Sequence, residues 1–138
     1  MIKKYMNWKL ILTLSLFGLA MAFATVFWIQ SNIEPFFWVV IAIICGYFIA
    51  IYAPGKYFLH GFLVSMVNCM WITSIHIQLS ATYLARHAKE AEQYDQMYKQ
   101  SDLSVTQAML VTGPIIGVIS GLLFGLFAVL ASKVVKKA

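Results

Sequence analysis

GPIIGVISGLLFG, residues 113–125, is the stretch of the chain that decides the fold. Its glycines recur at every fourth residue, which places them along one side of a helix among bulky Ile, Leu and Phe side chains. Each glycine inside a helix costs roughly 1 kcal/mol relative to alanine. In a bilayer, this cost is offset when the small residues allow a neighbouring helix to approach closely. The spacing therefore predicts a glycine zipper, a helix-packing face made of Gly113, Gly117, Gly121 and Gly125.

The composition of the whole chain is typical of a membrane protein. Of its 138 residues, 62% are hydrophobic and 11% are charged, whereas a soluble domain carries about 25% charged residues. A helix needs about 20 apolar residues to cross a hydrocarbon core of about 30 Å. Four runs meet this requirement, here called spans one to four: 10–29, 35–53, 57–79 and 108–131. They predict an all-α membrane protein, a single transmembrane four-helix-bundle domain over residues 1–138.

The charged residues divide between the two ends of the predicted bundle. If the spans alternate in direction, one side holds seven lysines and no acid: Lys3, Lys4, Lys9, Lys56, Lys133, Lys136 and Lys137. The other side holds Arg86, Lys89, Lys99 and all five acids, Glu34, Glu90, Glu92, Asp95 and Asp102. The positive-inside rule then predicts that both termini are cytoplasmic. The net charge of +5 is explained by this anchoring, so we expect no nucleic acid partner, and we expect the bacterial inner (plasma) membrane as the location.

Short links predict which spans are neighbours. The outer link, residues 30–34, and the turn at residues 54–56 leave little chain between the spans that they join. Such links favour antiparallel neighbours, here span one beside span two and span two beside span three. Span two also carries the small residues Ala42 and Gly46, which we interpret as further helix-packing positions.

Span three carries a polar stripe. At 100° per residue, its members fall within about 80° of arc on the helix, and they are Gly61, Ser65, Asn68 and His76. Asn68 lies near the middle of the bilayer, where an unpaired amide is costly. We expect Asn68 to bond a backbone or hydroxyl group of span four near Ser120 and Gly121. The alternative interpretation is that the stripe lines a polar path.

The helical pattern continues past the third span. Residues 80–100 contain no Gly or Pro and are rich in good helix formers. We predict that span three extends beyond the outer face of the membrane to about residue 100, as a continuous or slightly bent helix about 30 Å long. Its aromatic side forms an outer contact surface of Tyr83, His87, Tyr94 and Tyr98. The same composition also fits a helix lying on the bundle or on headgroups. The segment 104–107 reads as a capping box that opens span four.

The spans contain no Asp, Glu, Lys or Arg in their interior, and no hydrolase or phosphate-binding motif is present. We therefore expect no catalytic site and no enzyme activity. His60 and His76 lie about 24 Å apart along one helix, so one chain cannot hold a haem or metal ion between them. We expect no metal and no cofactor, with the histidines bonding neighbouring groups instead. Cys45 and Cys69 are interpreted as small apolar packing residues.

These patterns lead to two main functional hypotheses, and the methionines and aromatic residues leave open a third, a cofactor- or lipid-binding module. In the first, the chain is a non-enzymatic assembly or accessory component that acts through glycine-mediated helix packing and the outer helix. Its partners are then the lipid bilayer and either further copies of itself or a larger membrane complex. In the second, it is a small oligomeric channel or transporter with a polar path along span three. The sequence leaves open whether the glycine row packs within one chain or between subunits.

Overall fold

The computed structural model describes residues 5–136, and every regular element in that part of the chain is a helix. The helices in order are α1 (Trp8–Leu14), α2 (Leu16–Phe27), α3 (Glu34–Tyr52), α4 (Tyr57–Gln78), α5 (Ser80–Arg86), α6 (Ala88–Ser101) and α7 (Val105–Val134). Four helical stretches are long and apolar enough to cross a membrane: Trp8–Phe27, α3, α4 and α7. They are consistent with an integral membrane protein and lie within three residues of the predicted spans.

Span one is divided at Ser15, which separates α1 from α2. The Ser15 side chain is fully buried, and its hydroxyl donates a hydrogen bond to the Leu12 carbonyl oxygen at 2.7 Å. Downstream, the Gly18 N–H bonds the Ser15 carbonyl at 2.9 Å, three residues back rather than four. Polar side chains that bond to a nearby carbonyl often bend helices in this way. The break leaves the Gly18 N–H facing span three.

The spans neighbour one another in the order one, three, four, two. Helix α4 packs against α2 on one side and most extensively against α7 on the other, and α7 packs in turn against α3. The spans joined by short links therefore do contact each other, but they are not the pairs that pack most closely. Span two packs on span four in preference to span three, and α2 does not pack closely on α3, although α1 contacts α3. Link length fixes where two ends lie, whereas side-chain fit decides which faces meet.

The bundle has two ends, named here by what they carry. The terminal end holds the start of α1 and the end of α7, and the distal end holds residues 28–33 with helices α5 and α6. A large apolar cluster fills the bundle, with Ile11, Ile49, Val64 and Phe124 among its members. A second cluster at the distal end is built on Val26, Tyr83 and Met109. Tyr94 of α6 packs against this second cluster, so α6 is held close to the spans.

The helix that follows span three differs from the prediction of a continuous or slightly bent helix to about residue 100. It ends at Gln78, and the chain then forms α5 and α6, with interruptions at Leu79 (φ −110°, ψ 28°) and His87 (φ −129°, ψ 73°). No Gly or Pro marks the break at His87. We attribute it to a tertiary contact, because Nε2 of His87 lies against the backbone carbonyl oxygen of Ile29 in another segment. Helical propensity alone could not reveal this break.

The start of α7 agrees with its sequence signature. The Ser104 hydroxyl accepts a hydrogen bond from the Gln107 N–H at 3.2 Å, and the Gln107 side-chain oxygen accepts one from the Ser104 N–H at 3.0 Å. This is the capping box that the sequence predicts. Pro114 lies inside α7 without ending it.

Candidate functional site

The glycine row of α7 faces α4 of the same chain. A Cβ atom built on Gly121 would lie 2.7 Å from Cδ2 of Phe62, and one built on Gly125 would lie 2.9 Å from the carbonyl oxygen of Phe58. The other two glycines meet α4 in the same way, Gly113 at Thr73 and Gly117 at Cys69. A side chain at Gly113, Gly117 or Gly121 would need a side chain of α4 to shift, and one at Gly125 would also meet α4 backbone. In this structure the row packs within the chain.

The backbones of the two helices come closest at Gly61, on the α4 side of the same contact. A Cβ there would collide with the Phe124 carbonyl and would lie 2.9 Å from the Cα of Gly125. The obstacle is backbone, which cannot rotate away as a side chain can. On the opposite side of α7, a Cβ on Gly46 would lie 3.1 Å from the Phe127 carbonyl oxygen, and Ala42 is buried one turn earlier. These positions let two helices come close to α7 at once.

Two polar side chains of span three reinforce the contact with α7. The Ser65 hydroxyl donates a hydrogen bond to the Gly117 carbonyl oxygen at 3.2 Å, and the Cys69 thiol donates one to the Gly113 carbonyl oxygen at 2.7 Å. Ser65 is 3% exposed. Cys69 thus adds a polar bond to the packing role that its position predicts.

Asn68 bonds a different helix from the one predicted. Its Oδ1 accepts a hydrogen bond from the Gly18 N–H of α2 at 3.1 Å, rather than meeting a group on span four. The reason is the break at Ser15, which turns the Gly18 N–H toward α4. Asn68 is 2% exposed, and among the described residues its Nδ2 has no hydrogen-bond partner. The spacing of Gly18 and Ala22 in span one predicts a small-residue contact there, but the break at Ser15 that exposes the Gly18 N–H was not predicted.

The polar stripe of span three therefore serves several contacts rather than one. Gly61 and Ser65 face α7, Asn68 faces α2, and His76 faces Thr25 of α2. The Thr25 hydroxyl donates to the Met21 carbonyl oxygen at 2.8 Å and lies 2.8 Å from Nε2 of His76. Spans one and three are thus joined by polar bonds at two depths.

His60 joins the same two spans at the terminal end. The Asn7 N–H donates to Nε2 of His60 at 3.0 Å, and Nδ1 of His60 lies 2.9 Å from the Lys56 carbonyl oxygen. Since Nε2 accepts, Nδ1 carries the proton and donates. The Asn7 side chain also caps α1 by accepting from the Leu10 N–H at 3.1 Å. This histidine positions the first turn of span one.

An aromatic stack connects α4, α5 and the start of α6. The ring centroids of His76 and Tyr83 lie 4.1 Å apart, and those of Tyr83 and His87 lie 4.2 Å apart. Burial raises the pKa of the Tyr83 hydroxyl, and the nearby charges of Glu34 and Glu90 raise it further. The phenol is consequently held in its neutral form well beyond its usual range.

Two residues tie this stack to the end of span one. Nε2 of His87 lies 3.1 Å from the Ile29 carbonyl oxygen and Nδ1 lies 2.8 Å from the Tyr83 carbonyl oxygen. Arg86 donates from Nη1 to the Phe27 carbonyl oxygen at 2.7 Å. Arg86 thus satisfies the Phe27 carbonyl, which lies at a helix end and lacks a partner inside its own helix. A neutral His87 ring has one N–H and can donate to one of the other two carbonyls.

The predicted outer contact surface is corrected by this geometry. Tyr83 is 7% exposed and His87 is 4% exposed, so neither is available to a partner. Tyr94 is half-buried against the distal cluster, and Tyr98 is the member that lies exposed. The four residues share a helical spacing in sequence, but the break at His87 turns α6 relative to α5. The stack therefore belongs to the interior of the distal end.

The distal end also gathers carboxylates. Oε1 of Glu34 accepts a hydrogen bond from Nε1 of Trp38 at 3.0 Å, and the Glu34 carboxylate interacts electrostatically with His87 and Glu90. Oε2 of Glu90 is buried and, among the described residues, has no hydrogen-bond partner. Across residues 5–136, no three His, Cys, Asp or Glu side chains are arranged to hold a metal ion.

Two neighbouring cavities lie beside span one. The larger, about 580 Å³, lies between α2 and α3 and has an almost wholly apolar lining. The smaller, about 190 Å³, lies at the distal end and is polar, with Gln30, Arg86 and His87 in its wall. Ile29 lines both cavities. Neither includes Ser65 or Asn68.

Comparisons of the chain with protein-family models, curated proteins and solved structures find no match. Its function must therefore be argued from its own geometry.

Proposed function

We propose that the protein is a non-enzymatic assembly or accessory component of a membrane, acting as a homo-oligomer or as a subunit of a larger complex. The main support is that the polar and small residues of the spans are used in contacts between the spans. Ser65 and Asn68 are 3% and 2% exposed and each is bonded to a neighbouring helix. Such a bundle acts through the surfaces that it presents.

The rival function, an oligomeric channel or transporter, receives less support. A path along span three would need its polar stripe to face an opening, and in one chain these residues face α2 and α7. The glycine row is likewise occupied by α4 and is not left for a second subunit. Both observations indicate that a contact with a partner would use the outer surface of the bundle and not its interior.

The outer face of α6 is the surface that we assign to a partner. No residue of α6 is buried, and its exposed face mixes charged side chains with Tyr98, which is 53% exposed. Asp95 and Lys99 form an ion pair of 2.8 Å on this face. Tyrosine is a favourable contact residue because it combines apolar area with a polar tip. A helix that is fixed at its start by His87 and carries such a face can bind a partner outside the membrane.

The proposed location is the inner membrane of a bacterium, with both termini cytoplasmic. The support is the position of the lysines, of which Lys9, Lys56, Lys133 and Lys136 lie at the terminal end within the described residues, and the distal position of the acids. Lys3, Lys4 and Lys137 lie outside the described residues. This orientation puts α6 on the outer face of the membrane.

Two measurements in intact cells test the proposal. A photo-crosslinking residue at position 96 or 98 should capture a discrete polypeptide, whereas the same residue at position 119, on the apolar face of α7, should capture mainly lipid. In a chain with Cys45→Ala and Cys69→Ser, an impermeant thiol reagent should label Gln96→Cys but not Lys56→Cys. Equal lipid capture at all three positions would count against a partner on α6. Labelling of Lys56→Cys alone would reverse the proposed orientation.

A further inference from the structure

The cavity between spans one and two is a groove rather than a packing defect. It is lined on the α2 side by Phe17, Met21 and Ala24 and on the α3 side by Phe36, Val40 and Ile44. From Phe17 to Ile29 it follows span one for about 18 Å, and one leaflet of the hydrocarbon core is about 15 Å deep. The groove therefore runs from mid-membrane to the distal interface.

The width of the groove selects a narrow occupant. A volume of about 580 Å³ over that length corresponds to a mean cross-section of roughly 32 Å². A helix is about 10–12 Å across with its side chains, a cross-section of roughly 80 Å² or more. A helix does not fit between α2 and α3 as they stand and could lie only across the open side of the groove, whereas an acyl chain can enter it. The lining offers no polar group that a peptide backbone would require.

The polar cavity adjoins the groove where a headgroup would lie. Ile29 lines both cavities, and the polar one is walled by the cation Arg86 and by no carboxylate. One N–H of the guanidinium bonds the Phe27 carbonyl oxygen, and among the described residues Arg86 forms no ion pair. The guanidinium has five donors in all. It can therefore also bind an oxyanion beside the exposed Trp28, which also lines this cavity.

We infer that the two cavities form one lateral phospholipid site, in which an acyl chain fills the groove between α2 and α3 and the phosphate binds Arg86. The combination of charge and shape supports this occupant. An apolar groove one leaflet deep leads to Arg86, which has no ion-pair partner among the described residues and whose planar guanidinium matches the geometry of phosphate oxygens. This site is independent of the partner surface proposed on α6.

The test is native mass spectrometry of the full chain released from detergent, with phosphatidylglycerol as the probe. We expect one lipid per chain to be retained when surrounding lipids have been removed. Diacylglycerol with the same chains, which lacks the phosphate, should bind about tenfold more weakly, the loss expected for one charge-assisted hydrogen bond. Inorganic phosphate should not compete, because it cannot fill the groove.

Matched variants separate this site from general lipid adhesion. Arg86→Gln should weaken retention about tenfold, while Lys89→Gln, which also removes an exposed distal cation, should not. Ala24→Phe should block the groove, and Val40→Trp should do so from the α3 side if the first variant folds poorly. Leu123→Phe adds a ring on the apolar face of α7 and should leave retention unchanged. Helical content by circular dichroism confirms that each variant is folded.

Three results would overturn the inference. The first is a stepwise loss of lipids that is the same for wild type, Arg86→Gln and the groove-filling variants. The second is equal retention of diacylglycerol and phosphatidylglycerol. The third is capture of a polypeptide by a photo-crosslinking residue at position 40, which would assign the groove to a protein partner.

Discussion

Asn68 and Gly18 show how a single pair of residues joins two membrane spans. The amide oxygen of Asn68 accepts from the Gly18 N–H at 3.1 Å, and no side chain at position 18 stands between the helices. A Cβ on Gly18 would lie 2.6 Å from the Cα of Asn68. An interhelical hydrogen bond of this kind contributes only about 0.6 kcal/mol on average. The absence of a side chain at Gly18 therefore contributes more to stability than the hydrogen bond itself.

This comparison gives an ordered prediction. Gly18→Ala should lower the free energy of unfolding by about 1–3 kcal/mol, because the added methyl group meets the backbone of α4. Asn68→Leu should lower it by less than about 1 kcal/mol, since it removes one bond and also an unpaired amide N–H. Unfolding in mixed micelles measures both, with Leu12→Ala on the exposed face of α1 as the control. A neutral Gly18→Ala, or a change of ion flux with Asn68→Leu, would contradict this account of the pair.

The buried hydroxyl of Tyr83 makes the stability of the fold depend on pH. Burial raises its pKa in the folded state, while the unfolded chain titrates near pH 10. A raised folded pKa means that the stabilisation is complete below about pH 10 and is lost as the pH rises further. Wild type should therefore lose thermal stability above about pH 10 more steeply than Tyr83→Phe, which retains the stacked ring.

Tyr98→Phe is the matched control for this titration, because Tyr98 is exposed on α6. It should follow the wild-type profile of melting temperature against pH. If Tyr83→Phe and Tyr98→Phe gave the same alkaline profile as wild type, the buried phenol would not be coupled to folding.

At the scale of helices, α4 is the element on which the others are assembled. It contacts α2 through Asn68 and His76 and contacts α7 through Gly61 and Ser65. Its polar and small residues are few, but they are distributed over both of these faces. The polar residues at these contacts make the third span less apolar than the others.

The sequence predicted the helices themselves better than their arrangement. The four spans follow from the length of each apolar run, and the start of α7 follows from Ser104 and Gln107. The main packing partner of span two could not be predicted, because Ala42 and Gly46 provide a small surface but do not specify which helix packs on it. The break at His87 accompanies a contact of its ring with the carbonyl group of Ile29, which only the fold brings close.

The contact between α4 and α7 gives a prediction for a pair of glycines. Gly61→Ala should destabilise the bundle by about 1–3 kcal/mol, because its methyl group meets the Phe124 carbonyl. Gly121→Ala should stay within about 1 kcal/mol of wild type, since it meets the ring of Phe62, which can turn, and gains helix propensity. Both are measured as free energies of unfolding in mixed micelles. Equal effects, or the opposite order, would show that backbone contact does not limit this interface.

For the molecule as a whole, the order of the spans leaves one open side. Spans one, three, four and two form a continuous series of contacts, and α2 and α3 separate toward the distal end around the apolar cavity. The interior of the series is closed by glycine contacts and short hydrogen bonds. The surfaces that remain are the groove, the apolar outer faces of the spans and the exposed face of α6, and these are the surfaces to which we assign the proposed lipid and partner.

The central claim is that the glycine row of α7 packs on α4 within one chain. The pair Phe62→Cys and Gly121→Cys tests it, in a background with Cys45→Ala and Cys69→Ser. The Gly121 Cβ position lies 3.3 Å from Cγ of Phe62, which places the two Cβ atoms within reach of a disulfide, and removal of the ring makes room for it.

The measurement is mass spectrometry of the disulfide-linked peptides, after oxidation in membranes that contain a mixture of isotopically light and heavy chains. The account predicts linked peptides that are entirely light or entirely heavy. Abundant mixed light–heavy peptides would contradict it, because the glycine row would then join separate subunits.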